Sequence, residues 1–189
     1  MFLGMQMKEL FKNIEHDIWE WLKNYIEVEH KFYDYKFPVC PFAKAARLKG
    51  IVIVKVYNAG NINEFIQTSV RETISDTDHN ICIMIMPPRT RWTLGLRKTI
   101  DALNKEIMLQ GYFIQMGNAV NTNSLYPGWF NRGNYFAVFL NQLDPVLDGN
   151  RYLLTTDYYS YWSKKHYKDV VIRRQETYDN FFKKHKGEE

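Results

Sequence analysis

Cysteine is scarce in this sequence, and the spacing of histidine gives no metal-binding pattern. The 189 residues include two cysteines, Cys40 and Cys82, and five histidines. No two histidines lie at the short spacing that zinc ligands need, so the sequence predicts no metal site. Two cysteines do not form a disulfide framework, and their scarcity favours a reducing compartment. We therefore expect a cytoplasmic protein.

Long apolar runs and glycine-rich motifs are missing as well. No run reaches the ~18 apolar residues that cross a bilayer, and no basic leader precedes an apolar segment, so we expect no membrane partner. The ten glycines form neither a phosphate-binding loop nor the Gly-x-Ser-x-Gly turn of hydrolases. The cofactor, if any, therefore stays unknown from the sequence.

Apolar and aromatic residues are plentiful. The chain is 46% hydrophobic and 16% aromatic, which excludes a disordered tail and favours one domain with a sizeable core. The formal charge of +4 is only mildly basic. Proteins that bind nucleic acids concentrate lysine and arginine on one face, so this charge does not favour a nucleic-acid partner.

Hydrophobic periodicity predicts a single α/β domain over residues 1–189. Its parts are N-terminal helices (1–49), a β-α-β-α-β-β core (50–141) and a helical tail (142–189). The predicted strands are 51–57, 81–86, 112–116 and 135–140, and the predicted helices are 9–26, 41–49, 62–74, 92–109 and one or two within 155–184. Consecutive β-α-β units favour parallel strands. The strands lack strict alternation, which is typical of sheets buried on both faces. We expect a small four-stranded mixed, mainly parallel sheet covered by helices on both faces.

The candidate binding site follows from that topology, because α/β sheets bind ligands beyond the carboxyl ends of their parallel strands. Arginines in the loops at this edge would hold a phosphate or carboxylate beside a helix N-terminus, aromatics would wall the pocket, and asparagines would orient the ligand. The predicted ligand-binding residues are Asn58, Arg89, Arg91, Trp92, Asn118, Tyr126, Trp129 and Arg132. The alternative is that the arginines are solvated and that a threonine only caps the helix. Whether the domain is an enzyme or a binding protein stays open.

Cys40 is the candidate catalytic residue. If Pro41 is the first helical residue, Cys40 lies at the helix cap, where the helix dipole favours a thiolate. A nucleophile also needs a base, and the sequence does not place His16, His30 or His79 beside it. The alternative is a buried structural cysteine.

The C-terminal tail supports a second hypothesis. Residues 157–165 are rich in tyrosine and lysine and could bind a protein or stack the bases of a single-stranded nucleic acid. An aromatic segment of this kind more often packs on its own domain. A third interpretation is a homo-oligomer that buries its exposed aromatics between copies.

One family resemblance emerges from these residues. A Trp21-Leu22 pair, the motif Cys40-Pro41-Phe42-Ala43-Lys44, a helix end at 109–111 and the pair Asn131-Arg132 resemble an uncharacterised bacterial family, a domain of unknown function. The resemblance spans roughly residues 18–147. The family carries His-Pro pairs where this chain has Met86-Pro87 and Met116-Gly117. The resemblance marks Cys40 and Arg132 as positions of interest, and it implies no particular reaction.

Overall fold

The helices and strands that the sequence predicts form, with small shifts at their ends. A computed structural model describes residues 2–86, 93–116 and 136–186 of the chain. In these ranges the main helices are α1 (Phe2–Trp21), α2 (Ala43–Leu48), α3 (Ile62–Ser75), α4 (Thr93–Ile107), α5 (Leu143–Leu154), α6 (Lys164–Tyr167) and α7 (Arg173–Lys186). The strands are β1 (Val52–Val56), β2 (Ile81–Met86), β3 (Tyr112–Met116) and β4 (Phe136–Gln142). A π-helical turn, Leu22–Ile26, extends α1.

Helix α3 shows how the apolar spacing sets the packing. Its buried residues Ile66, Ser69, Val70 and Thr73 recur every three or four positions, so they share one face of the helix. Burial of Thr73 is compatible with this face because its hydroxyl donates to the Ser69 carbonyl at 2.8 Å. The three- and four-residue spacing of these positions in the sequence therefore matches the side of α3 that packs on the core.

The strands of the described ranges form one sheet in the order β1-β2-β4-β3. Strands β1 and β2 pair in parallel, whereas β4 is antiparallel to both β2 and β3. Two of the three strand pairs in the described ranges are antiparallel, so the expectation of a mainly parallel sheet is wrong for the pairing of the strands. The physical reason is that β4 lies between β2 and β3, although β1, β2 and β3 all run in the same direction.

Helices cover both faces of the sheet, which confirms the α/β class. On the first face, α3 and α4 pack over the central strands and bury Met84, Val138 and Ile114. On the second face, α1 and the π-helical turn pack over Val54, Ile83 and neighbouring residues of β1, β2 and β4. Near β3, residues of α5 and α7 pack together with Phe113. Both central strands are consequently apolar along nearly their full length.

Helical structure within the tail (142–189) begins earlier than the sequence predicts. Helix α5 follows β4 directly at Leu143, whereas helical structure was expected only from residue 155. The sequence marks the start of α5 by an acidic residue and a proline in the first turn, Asp144-Pro145, which are both typical of helix starts. Gly149 faces the ring of Phe42 so closely that a Cβ atom there would lie 2.9 Å from a ring carbon.

In the described ranges 2–86, 93–116 and 136–186, no helix carries an apolar stretch of membrane-spanning length.

Candidate functional site

The carboxyl ends of three strands meet at one edge of the sheet. Val56 at the end of β1 pairs with Ile85, and Met86 at the end of β2 pairs with Phe136 at the start of β4. Met116 at the end of β3 pairs with Val138, two residues further along β4. The chain thus leaves β1, β2 and β3, and enters β4, at a common edge. This is the arrangement on which the predicted site depends.

Two helices follow strands that end at this edge. The Asn61 side chain caps α3 by accepting from the Asn63 N–H at 2.9 Å, as expected for an asparagine at the N-cap. The Thr99 hydroxyl, in the middle of α4, donates to Asn63 Oδ1 at 3.1 Å. The start of α3 therefore lies beside the middle of α4. Because α3 follows the end of β1 and α4 follows the end of β2, both helix dipoles direct their positive ends towards this edge.

An open groove lies beside β1 at this edge. Its volume is about 480 Å³, and its lining includes Lys55, Asn58, Asn61, Glu64, Thr68 and Glu72. Lys55 pairs with Glu72 at 2.5 Å, which neutralises both charges. The groove also holds Glu64, an acidic residue in the first turn of α3. Its charge is therefore suited to polar or cationic groups rather than to an anion.

Of the predicted ligand-binding residues, the structure places Asn58, which lines this groove. The other predicted ligand-binding residues lie in segments 87–92 and 117–135, outside the described residues. They are Arg89, Arg91, Trp92, Asn118, Tyr126, Trp129 and Arg132. Their assignment stays a prediction from the sequence.

Cys40 lies elsewhere, against α1 on the second face of the sheet. Helix α2 begins at Ala43 and its N-cap is Phe42, so Cys40 is not at the cap that the sequence predicts. The reason is that residues 40–42 form a turn closed by the Ala43 N–H on the Cys40 carbonyl. Burial raises the pKa of the Cys40 thiol even though backbone N–H groups of Phe42 and Ala43 bond its sulfur.

The charges around Cys40 also oppose a nucleophilic role. Glu27 lies near the thiol, and its negative charge raises the pKa further. Two of the histidines considered as bases are engaged elsewhere: His79 bonds Asp76 at 2.8 Å, and His30 packs edge-on against Tyr25. These surroundings favour the alternative interpretation of Cys40 as a structural cysteine.

We expect both cysteines to react slowly with iodoacetamide at pH 7, because the thiolate is the reactive form and burial disfavours it. Burial raises the pKa of Cys82 to about 11, so its alkylation should accelerate only as the pH approaches that value. Mass spectrometry of the native protein over time measures both rates. Cys40 labelling as fast as that of a free thiol such as glutathione would contradict the structural assignment.

An aromatic cluster joins the tail to the segment before Cys40. We define it as Tyr33, Phe37, Tyr158, Tyr159, Tyr161 and Trp162, with Leu153 at its base. Trp162 Nε1 donates to the Tyr33 hydroxyl at 2.9 Å, and Tyr33 donates to the Tyr158 hydroxyl at 2.9 Å. Tyr158 in turn donates to the Val39 carbonyl at 2.6 Å. The tail is thereby hydrogen-bonded to the residue next to Cys40.

Sequence reasoning missed three residues that organise these regions. Thr99 joins the middle of α4 to the start of α3, Tyr33 lies at the centre of the aromatic cluster, and Asn104 bonds the backbone of Ile114 at the outer edge of β3. Tyr33 lies between the predicted helices 9–26 and 41–49, where nothing in the sequence marks one aromatic residue as buried. A single asparagine or threonine within an amphipathic helix likewise carries no sequence signal for its partner.

The chain matches no protein-family model, no curated protein and no solved structure.

Proposed function

We propose that the chain binds a small anionic molecule, a phosphate or carboxylate, at the carboxyl edge of its sheet where α4 begins. The observation that carries the proposal is that three strands end at that edge and that α3 and α4 each follow one of these strand ends. Unpaired N–H groups and the dipole make a helix N-terminus favourable for an anion. The first turn of α4 contains no acidic residue, in contrast to that of α3.

The cationic groups of the proposed site come from the sequence. Arg89 and Arg91 lie in the six residues that connect β2 to α4, and Arg132 lies shortly before β4. Because Met86 pairs with Phe136, these segments attach to the sheet at adjacent strands. Guanidinium groups form paired hydrogen bonds to phosphate and carboxylate oxygens. The resemblance to the bacterial family gives Arg132 additional weight.

The double substitution Arg89→Gln/Arg91→Gln tests the proposal. We expect it to weaken binding of inorganic phosphate or succinate at least about tenfold, because each hydrogen bond to a charged group contributes roughly 1.5–3 kcal/mol. Isothermal titration calorimetry measures both affinities at fixed ionic strength.

A matched control removes the same charge from the C-terminal halves of α3 and α4, away from the proposed site. Arg71 and Lys105 are exposed on α3 and α4, so Arg71→Gln/Lys105→Gln should change the affinity less than about twofold once salt screens distant charges. Equal losses of affinity in both double variants would indicate that the net charge of the protein, rather than a specific site, attracts the anion. Absence of phosphate and succinate binding to the unmodified protein would contradict the proposal directly.

The second hypothesis, binding of a protein or single-stranded nucleic acid through the aromatic tail, receives less support. Tyr158 is 3% exposed, and Tyr159 and Trp162 pack against it within the aromatic cluster. The buried ring of Tyr158 is not available to bases, and the half-buried rings of Tyr159 and Trp162 already pack on it. Titration of a single-stranded oligonucleotide in the same calorimeter discriminates the two, since nucleic-acid binding falls steeply with salt.

A further inference from the structure

Strand β1 has an outer edge whose backbone groups lack partners. The Tyr57 N–H donates to the Ile85 carbonyl at 2.8 Å, and the Ile51 carbonyl accepts from the Ile81 N–H at 3.1 Å. The backbone groups of successive strand residues point to opposite edges. The N–H and C=O groups of the odd-numbered residues from Ile51 to Tyr57 therefore point towards β2. Val52, Val54 and Val56 therefore turn their N–H and C=O groups outward. Within residues 2–86, 93–116 and 136–186, nothing hydrogen-bonds to these outward groups.

Asn104 of α4 covers part of the opposite edge of the sheet. It donates its amide to the Ile114 carbonyl at 3.0 Å and accepts from the Ile114 N–H at 2.7 Å. This side chain satisfies the outward backbone groups of Ile114, the central residue of β3. Proteins protect exposed edges because unpaired strands recruit other strands. No side chain of the described ranges bonds the outward backbone groups of β1 in this way, and the open groove beside β1 reaches its edge at Lys55 and Val56.

We propose that β1 is the seam of a homodimer, in which a second copy adds its own β1 in antiparallel orientation about Val54. In that register Val54 faces Val54 of the second copy, and Val52 faces Val56. Each of these facing pairs exchanges two N–H···O=C bonds. A twofold axis makes the same surface serve both copies, as in most homodimers. The two four-stranded sheets become one continuous sheet.

The charges of β1 agree with a second copy as the occupant. Lys55 is the one charged residue of the strand, and it faces Ile53 of the second copy rather than another lysine. Its charge is already paired with Glu72 of its own chain. The remaining pairs across the seam are valines, which are favourable neighbours on adjacent strands. Like charges directly opposite, which destabilise strand pairing, are thus avoided.

Val56→Pro tests the seam, because proline removes an outward N–H without breaking a bond to β2. We expect sedimentation equilibrium to find a dimer of the unmodified protein and at least a tenfold higher dissociation constant for the variant. Circular dichroism checks that the variant is folded. A monomer at all concentrations up to 1 mM, or a dimer unaffected by proline in the folded variant, would overturn the proposal.

A register-specific crosslink keeps the test decisive if the proline variant does not fold. Facing residues that exchange hydrogen bonds have Cα atoms about 5.5 Å apart, within disulfide range. Val54→Cys should therefore give a covalent dimer under mild oxidation. Ile53→Cys is the matched control, since its two copies lie diagonally beyond the ~7 Å limit. Absence of crosslinking at position 54, or equal crosslinking at both positions, would exclude this register.

Discussion

Replacing Tyr158 by alanine is expected to lower the free energy of unfolding by about 3–5 kcal/mol, the range for truncating large buried aromatics. Tyr158 is 3% exposed and stacks on Tyr33 with ring centroids 4.6 Å apart. Its removal leaves a cavity and also leaves the Val39 carbonyl without its donor. A loss of this size is a large fraction of the stability of a typical domain. Urea denaturation followed by circular dichroism measures it.

Tyr152→Ala is the matched control for this substitution. Tyr152 belongs to the same tail but is 62% exposed, so its truncation should change the stability by less than about 0.5 kcal/mol. Losses of similar size for the two variants would mean that the aromatic cluster does not anchor the tail.

Tyr158→Phe separates the hydrogen bonds from the packing. It keeps the ring but removes the hydroxyl that joins Tyr33 to Val39. We expect a loss of about 1–3 kcal/mol, because the partly buried Val39 carbonyl then has no donor. The cluster therefore contributes through ring packing and through a continuous series of hydrogen bonds, and the two variants measure these contributions separately.

Replacing Asn104 by leucine is the second substitution with a large expected effect. It retains a similar side-chain volume in α4 but removes both hydrogen bonds to Ile114. Ile114 is 1% exposed, so its backbone groups are poorly placed to bond water instead. We expect a loss of about 2–3 kcal/mol, even though leucine favours a helix more than asparagine does. Urea denaturation measures the loss.

Hydrogen exchange at the Ile114 amide gives an independent readout of the same substitution. Its protection should fall in Asn104→Leu, because the amide loses its acceptor at a sheet edge. Asn180→Leu, at an exposed position of α7, is the control and should leave Ile114 protected. An Ile114 amide that stays fully protected in Asn104→Leu would show that the asparagine does not close this edge.

Local patterns were sufficient for most of the secondary structure. The apolar run of β2 and the three- and four-residue spacing in α3 are properties of neighbouring residues, and both elements appear where expected. The start of α2 was less well predicted, because Pro41 can begin a helix but can equally lie in a turn, and the turn at Cys40 forms instead. Helix α5 was missed because its start follows β4 without an intervening loop.

The candidate site was predictable in outline and not in detail. The helices that connect β1 to β2 and β2 to β3 return the chain to the same end of the sheet by right-handed crossovers. The ends of these three strands are therefore expected at one edge. The charge of the groove beside β1 was not predictable, because Glu72 reaches Lys55 only after α3 packs on the sheet. The same holds for Thr99 and Asn63.

By itself, the sequence determined the α/β class, the order of the strands and of the helices between them, and the side of α3 that faces the core, because these follow from contacts between near neighbours in the chain. Only the tertiary structure decided that β4 lies between β2 and β3, that Asn104 bonds the backbone of Ile114 at one sheet edge, and that Tyr33 meets Tyr158 across 125 positions. Such contacts join residues far apart in the chain. Their geometry depends on how whole elements pack, and no local pattern encodes it.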